Sequence, residues 1–375
     1  MITMNPVHLH GRSVWDQSYF PRDECEERVR IVRAEMARRG LRALLVFGHY
    51  TDYQDLCYLT QFFPAANWSL AFVPLEGDII LLPKLKGGRD LPAARARTWV
   101  QDVRNYRTLS EAIHEMLGEG VADGKIGLAG IEHSLPANLH DEVLACLASV
   151  SYVSVEKMLA EIRRSLRPRE ISALRRAAHI VKMAAGVLER AHAEGASNTE
   201  AVVAADGEAR RLGAVDFRAL AVLDESGALA PVEGLSTLRS EPFVAYLAAN
   251  FLGYWADLAV TVGATAASLR DAESALRAMV RTAHAGIEAN ELAQAAADSL
   301  GQSRFNEARR YGLGNGIGLS LHSAPDVTLG NDEVLADNAV LSLRVRLADS
   351  TLSGVFISDL VLVGTSSSES LLGSA

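Results

Sequence analysis

The order in which helix and strand patterns follow one another constrains the fold of this chain more than any other feature. In the first half, a charged amphipathic helix over residues 22–39 precedes a buried strand at 43–48 and a hairpin over 68–84. The alternation continues to about residue 154, and strands interleaved with helices predict an α/β domain with a mixed sheet. In the second half, alanine-rich helices and apolar strands are grouped instead, which predicts an α+β domain.

A domain boundary is expected where these two patterns meet. A chain of 375 residues suggests roughly two domains, given a usual size of about 150 residues each. A long alanine-rich helix begins near residue 156, and Pro168 interrupts its pattern. Because proline removes a helical hydrogen bond, a break or hinge is favoured there. We therefore expect an N-terminal domain over residues 1–158 and a C-terminal domain over 159–375.

Composition excludes several classes of function. The net charge of −9 argues against nucleic acids and anionic membranes as partners. Cys25, Cys57 and Cys146 are far apart and form no C-x-x-C pair, so neither a zinc site nor a disulfide framework is indicated. The first residues contain no apolar signal core, and no run approaches about 18 apolar residues. These features predict a soluble, cytoplasmic protein.

Polar side chains embedded in apolar strands are the first candidates for a functional site. Asp257 lies in GYWADLAVTV, Arg344 and Arg346 lie in AVLSLRVRLAD, and Ser358 lies in GVFISDLVLV. Burying a charged group inside a strand is costly unless the group is paired or functional. By the two-residue period of a strand, Arg344 and Arg346 share one face with Ser342. For each candidate, a satisfied structural hydrogen bond stays open as the alternative to a role in chemistry.

A glycine-rich run adds two further candidates. Residues 311–325 read YGLGNGIGLSLHSAP, with Asn315 between two glycines and His322 seven residues later. Glycine permits a positive φ angle or the close approach of another backbone, so we expect a glycine-lined strand beneath a pocket. No helical pattern follows the run, which argues against a dinucleotide-binding motif.

Over nearly its whole length the chain resembles the creatinase/aminopeptidase P/prolidase family. The N-terminal domain of that family opens on a helix and strand similar to RDECEERVRIVRAEMARRGLRALLVFG, and its C-terminal domain on a helix similar to EIRRSLRPREISALRRAAHIVKMA. The segments around Asp257, Asn315 and Ser358 resemble three successive signature strands, in the same order. The resemblance implies a C-terminal domain with the pita-bread fold and a homodimer.

The metalloenzymes of this family bind two metal ions through two Asp, one His and two Glu residues. By resemblance, these positions are Tyr246, Asp257, Asn315, Arg344 and Ser358. Only Asp257 keeps the family's ligand. Because a dinuclear site needs several anionic oxygen ligands, we predict that no metal and no other cofactor binds, and that a guanidinium partly replaces the lost cations.

Of the two further active-site histidines of the family, one has a counterpart in this sequence. His322 matches a histidine with which some members steady the substrate. The family's other active-site histidine, upstream of the first Asp, has no counterpart in ALAPVEGLSTLRSEPF. Creatinase, a metal-free member, uses that histidine for proton transfer, so this chain cannot be a plain creatinase. Glu233 lies in the same region and is the candidate for a replacement base.

These observations predict a metal-independent, creatinase-like enzyme that hydrolyses or eliminates a C–N bond in a small polar molecule bearing a carboxylate. Asp257 and His322 act as acid and base in this hypothesis, because burial can tune the pKa of either group. Arg344, together with Arg346, binds the carboxylate through its planar fork of donors. The remaining expected substrate-binding residues supply neutral donors and acceptors or a further carboxylate: Tyr246, Asn315, Ser358 and Glu233.

The alternative hypothesis is a catalytically inactive pita-bread protein that serves as a binding or interaction module. In that case an ion pair between Asp257 and Arg344 would fill the former metal site. The replacement of metal ligands by polar rather than aliphatic residues favours the enzyme, because apolar side chains would fill an unused pocket at lower cost.

Overall fold

A computed structural model gives the fold of the chain. It describes residues 14–64, 68–85, 90–118, 124–131, 135–224, 226–232, 236–264, 266–348 and 354–373. The chain divides into two compact units, one ending at Arg163 and the other beginning at Arg164. This division falls shortly after residue 158, where the sequence placed the end of the first domain.

The N-terminal unit is built on one mixed sheet with helices packed against it. Its helices are α1 (Arg22–Arg38), α2 (Gln54–Thr60), α3 (Leu91–Arg95), α4 (Leu109–Gly118), α5 (Ala137–Cys146) and α6 (Glu156–Arg164). Its strands are β1 (Leu41–Gly48), β2 (Ser69–Pro74), β3 (Ile80–Pro83), β4 (Asp102–Val103), β5 (Lys125–Ala129) and β6 (Tyr152–Ser154). The strand order is β4-β3-β2-β1-β5-β6, with β1 antiparallel to β2 and parallel to β5. The predicted α/β domain with a mixed sheet is confirmed.

Strand β1 shows why this sheet forms. It reads LRALLVFG, and every residue in it except Arg42 is buried. A nearly continuous apolar run of this kind is typical of a strand that is covered on both faces. Its neighbour β2 continues into β3 as the predicted hairpin, with Ser69 opposite Pro83.

Among its described residues, the C-terminal unit contains two antiparallel sheets and four long helices. Its helices are α7 (Pro168–Ala193), α8 (Asn198–Arg211), α9 (Ala266–Thr282) and α10 (Ala289–Ala308). Its strands are β7 (Asp216–Val222), β8 (Leu229–Pro231), β9 (Phe243–Phe251), β10 (Tyr254–Val262), β11 (Gly314–Gly316), β12 (Ser323–Asp326), β13 (Val340–Leu347), β14 (Val355–Val363) and β15 (Ser368–Ser370). The sheets have the orders β10-β9-β7-β8 and β12-β11-β13-β14-β15. Helices and strands are grouped along the chain, as the α+β prediction requires.

The long helix expected from residue 156 is in fact two helices, α6 and α7. Pro168 occupies the first turn of α7, where its missing N–H has no helical partner to lose and its fixed φ angle suits the helix. The proline therefore lies at the start of α7, after the end of α6.

Helices cover one side of the two C-terminal sheets and leave functional side chains on the other. Helix α7 packs against β9 and β10, and α9 packs against β13 and β14. Alternate apolar residues of β13, from Leu341 to Leu347, join the core formed with α9 and α10. Because a strand alternates its faces, Ser342, Arg344 and Arg346 lie on the side turned away from these helices.

The glycine-rich run forms two short strands and not the single strand that the sequence predicted. Strand β11 pairs with β12, with Gly316 opposite Ser323. A Cβ atom at Gly316 would lie 2.4 Å from the carbonyl oxygen of Ala324, so the close backbone approach expected of the glycines does occur. His322 lies in the segment that connects the two strands.

Two hydroxyl groups join the two C-terminal sheets between β10 and β14. The amide of Ala259 donates to Ser358 Oγ at 2.8 Å. The hydroxyl of Thr261 donates to the carbonyl oxygen of Phe356 at 2.7 Å and accepts from the amide of Phe356 at 2.8 Å. The sheets are therefore connected by side chains at the level of the candidate site.

Candidate active site

Asp257 is the centre of a buried hydrogen-bonded cluster. It projects from β10 and is 1% exposed. The hydroxyl groups of Tyr246 and Ser342 both donate to its Oδ2 atom, each at 2.9 Å. Its other oxygen, Oδ1, is buried and accepts no hydrogen bond from another of the described residues. Tyr246 and Asp257 are predicted site residues, whereas Ser342 was expected only to share a strand face with Arg344.

Burial raises the pKa values of two groups in this cluster. It raises the pKa of the Asp257 carboxyl, while the hydrogen bonds from Ser342 and Tyr246 and the charge of Arg344 oppose that rise. Burial and the neighbouring Asp257 charge also raise the pKa of Tyr246 well above its ordinary value of about 10. The Tyr246 hydroxyl therefore stays protonated and remains a donor to the carboxylate.

Arg344 is held by Asn315. Its Nη2 atom donates to Asn315 Oδ1 at 2.7 Å. The Asn315 amide group donates in turn to the carbonyl oxygens of Gly316 at 2.8 Å and Leu321 at 3.1 Å. No direct ion pair joins Arg344 to Asp257 among the described residues, although the two charges interact at longer range. The plugging ion pair considered as an alternative is therefore not formed.

Two residues predicted to bind substrate have structural roles. Ser358 accepts the amide of Ala259 and so connects the sheets. The guanidinium of Arg346 lies 4.4 Å from the ring centroid of Tyr311 and also faces the ring of Phe356. Stacking uses the faces of the guanidinium and leaves its N–H edges, so the role of Arg346 in binding a carboxylate stays a prediction.

His322 lies apart from the buried cluster. Its side chain is 64% exposed, and its Nε2 atom lies 2.8 Å from Asp326 Oδ1. His322 is therefore open to solvent in the connection between β11 and β12, and this position does not support its expected role as acid or base beside Asp257. Glu233, the expected replacement base, lies outside the described residues.

The residues of the site do not fit a pair of divalent cations. Of the five positions that resemble metal ligands, Asp257 alone carries a carboxylate, and its partners are hydroxyl groups that donate to it. Within the described ranges, no group of three or more His, Cys, Asp or Glu side chains is arranged to hold a metal ion. Two divalent ions require several anionic oxygen ligands, and the guanidinium of Arg344 repels a cation.

Each unit matches a known protein family. Residues 28–165 match the creatinase/prolidase N-terminal domain, and residues 172–365 match metallopeptidase family M24. A probable dipeptidase PepE from Mycobacterium tuberculosis is 26% identical over 370 residues, covering 92% of this chain and 93% of that protein. The putative dipeptidase YkvY of Bacillus subtilis is 22% identical over 322 residues, covering 82% of this chain and 87% of its own.

Solved structures show the same fold. The prolidase from Pyrococcus horikoshii superposes with a TM-score of 0.76 at 19% identity, covering 92% of this chain and 98% of that one. The pita-bread fold predicted for the C-terminal domain is thereby confirmed.

These comparisons correct the function expected from the sequence. The prediction of a metal-independent, creatinase-like enzyme acting on a small polar molecule is wrong, because the relatives are named dipeptidases and Xaa-Pro dipeptidases. Those names describe enzymes that hydrolyse peptides, and they support the prediction that this protein is an enzyme. The resemblance to the creatinase/aminopeptidase P/prolidase family is confirmed: the chain belongs to metallopeptidase family M24, with a creatinase/prolidase N-terminal domain preceding the pita-bread domain.

Proposed function

We propose that this protein acts on short peptides, dipeptides in particular, at the site around Asp257 and Arg344. The observation that carries the proposal is the pair of unsatisfied groups on one side of the sheets. Asp257 has a buried carboxyl oxygen without a donor from another described residue, and Arg344 uses one of its donors, on Asn315. A dipeptide carries an ammonium group at one end and a carboxylate at the other, so its charges complement this pair.

The names of the relatives support the same class of ligand. The dipeptidase PepE of Mycobacterium tuberculosis matches this chain almost from end to end. Several relatives named for Xaa-Pro peptides match parts of it. The proposal extends their printed substrate class to this chain.

The proposed peptide binding uses the side chains of the chain itself. The donor set around Asp257 supports it, because hydroxyl groups, an amide and a guanidinium stand where anionic ligands would be needed. In the ligand complex, we expect Asp257 to accept a hydrogen bond from the peptide through Oδ1, and Tyr246 and Ser342 to hold that carboxyl group in place.

Calorimetric titration with a panel of Xaa-Pro and other dipeptides tests the proposal, with amino-acid release measured on the same samples by mass spectrometry. We expect saturable binding of at least one dipeptide, unchanged by EDTA and weakened in Asp257→Asn. Glu273→Gln, on helix α9, is the matched control and is expected to bind as the parent does.

Each outcome of this experiment bears on the proposal. Absence of both binding and cleavage across the panel would overturn the peptide function. Cleavage that appears only after two equivalents of Mn²⁺ have bound would leave the peptide class standing and show that these side chains alone do not carry out the hydrolysis.

We also propose that the protein is a cytoplasmic homodimer. The dimer is supported by the family resemblance, and a light-scattering mass equal to one chain would overturn it. Among the described helices, none combines the length and apolar character needed to cross a bilayer. Fractionation of cells expressing the tagged chain tests the compartment, and recovery outside the cytoplasm would contradict this proposal.

A further inference from the structure

We infer that Arg344 binds the carboxylate of the peptide ligand, in the position where the family places a metal-ligating glutamate. The inference rests on the peptide function proposed above and adds the chemical group that the site recognises. It also gives a physical account of the residues at the metal-ligand positions: a fixed guanidinium supplies the positive charge that a metal pair would otherwise supply.

The guanidinium of Arg344 is held in one orientation before any ligand arrives. Asn315 accepts from Nη2 at 2.7 Å and is itself 1% exposed. The Asn315 amide group is fixed by two backbone carbonyl groups, those of Gly316 and Leu321. A donor group that is fixed in advance loses less conformational entropy on binding.

The charge of Arg344 lacks a bonded counter-ion among the described residues. Exposed arginines of the same unit pair directly with carboxylates, as Arg175 does with Glu369 and Arg211 with Glu208. Arg344 is only partly exposed, yet within the part of the chain that the structure describes its side-chain hydrogen bond goes to a neutral amide. A partly buried cation without a carboxylate partner is unfavourable, so a ligand carboxylate would supply what is missing.

A glycine lies beside one edge of this guanidinium. Gly312 has φ +75°, and a Cβ atom there would lie 3.5 Å from Nη2 and 3.9 Å from Nε of Arg344. Nε and Nη2 form one of the edges through which arginine donates two parallel hydrogen bonds to a carboxylate. The Cβ atom of any other residue at position 312 would contact that edge.

The neighbouring arginine on the same face does not duplicate this role. Arg346 donates to the carbonyl oxygen of Gly227 at 3.2 Å and stacks on Tyr311. The two arginines therefore have different surroundings, and the structure assigns the carboxylate to Arg344, whose charge acts on Asp257 and whose guanidinium is held by Asn315.

Titration with a dipeptide and with its C-terminal amide tests the inference. In the parent protein, we expect the amide to bind about 10- to 100-fold more weakly, the range for loss of a charge-assisted pair of hydrogen bonds. Arg344→Met should weaken the free dipeptide by a similar factor and leave the affinity for the amide nearly unchanged. Arg344→Lys keeps the charge but loses the fork, and an intermediate affinity is expected.

Arg211→Met, on helix α8, is the matched control, because it removes an exposed arginine from the same unit; parental affinity is expected. Circular dichroism and thermal melting establish that each variant is folded, and Arg344→Lys provides the test if Arg344→Met is not.

The outcomes separate this inference from the proposed function. If the dipeptide and its amide bind equally and both Arg344 variants bind them as the parent does, the inference is overturned while the peptide function stands. If no dipeptide binds at all, the proposed function fails and the inference fails with it. A tenfold preference for the free carboxylate that disappears in Arg344→Met supports both.

Discussion

Removing the Tyr246 hydroxyl gives the sharpest test of the Asp257 cluster. In Tyr246→Phe, the ring stays in place but the hydrogen bond to Asp257 Oδ2, 2.9 Å long, is lost. Asp257 is buried, and its only other donor from a described side chain is the Ser342 hydroxyl. A hydrogen bond to a charged group contributes about 1.5–3 kcal/mol and one to a neutral group about 0.5–1.5 kcal/mol. The loss in the free energy of unfolding should therefore depend on whether Asp257 is ionised.

The direction of the pH dependence follows from the pKa of Asp257. Burial raises this pKa in the folded state above its unfolded value, and the Tyr246 hydrogen bond lowers it again. Without the hydroxyl the folded pKa rises further, so the folded variant binds more protons than the folded parent between the two folded-state pKa values. The destabilisation should therefore be small at low pH and grow as pH rises through the folded-state pKa of Asp257. We expect about 1 kcal/mol below the transition and about 1.5–3 kcal/mol above it.

Urea unfolding at several pH values between about 4.5 and 8 measures this difference. Because the chain has two units, the signal must report on the second one alone. Trp255 is the single tryptophan after Arg164 in the sequence, and it neighbours Asp257 in β10. Its ¹⁹F resonance in protein labelled with 5-fluorotryptophan therefore follows unfolding of the C-terminal unit.

Two variants make this prediction refutable. Tyr311→Phe removes a hydroxyl from a ring that is 46% exposed, and we expect its effect to stay within about 0.5 kcal/mol at every pH. In a background that already carries Asp257→Asn, Tyr246→Phe should lose its pH dependence. A destabilisation of Tyr246→Phe that is equal at all pH values, or a pH dependence that persists in the double variant, would refute the reasoning.

Three further predictions concern the scaffold of the C-terminal unit. Gly316→Ala should destabilise the protein by about 1–3 kcal/mol, because the new Cβ would lie 2.4 Å from a backbone oxygen. Gly207→Ala, in open space on helix α8, should instead stabilise the protein by about 0.5–1 kcal/mol. A change of the same sign for both variants in urea titrations would contradict this pair of expectations. Thr261→Val should cost about 1–3 kcal/mol in unfolding free energy, because two hydrogen bonds to the Phe356 backbone are lost; an unchanged urea midpoint would show that the inter-sheet link contributes nothing. Burial lowers the pKa of His192, so the unfolded chain takes up its proton first, and stability should fall as pH drops through about 6.5; His192→Phe should reduce that fall, and an unchanged slope of unfolding free energy between about pH 7.5 and 5.5 would argue against it.

Element type and strand face were predictable because both depend on local sequence. The strands predicted at 242–250 and 254–263 appear as β9 and β10, within a residue at each end. The prediction that Ser342 and Arg344 share a face holds because side chains of a strand alternate regularly. The glycine-rich run was less predictable, since its turn depends on pairing between β11 and β12.

Side-chain partners were less predictable than faces. Arg344 and Arg346 share a strand, a face and a chemistry, yet one is held by Asn315 and the other stacks on Tyr311. Nothing within AVLSLRVRLAD distinguishes them, because the residues that do so come from other segments of the chain. His322 was assigned to the site by resemblance, but its ring faces solvent beside Asp326.

The sequence by itself determined the order of the elements, the family and the residue types at the positions that resemble metal ligands, because each of these can be read from residue identity and spacing. Only the tertiary structure decided how those residues bond to one another. Asp257 and Ser342 are 85 residues apart and lie in different sheets, so their hydrogen bond depends on how the two sheets come together. Asn315 and Arg344 are 29 residues apart, and their hydrogen bond depends on the pairing of β11 with β13 within one sheet. Within the described residues, that packing leaves one oxygen of Asp257 without a donor and Arg344 with donors to spare, and these two groups define the chemistry we propose.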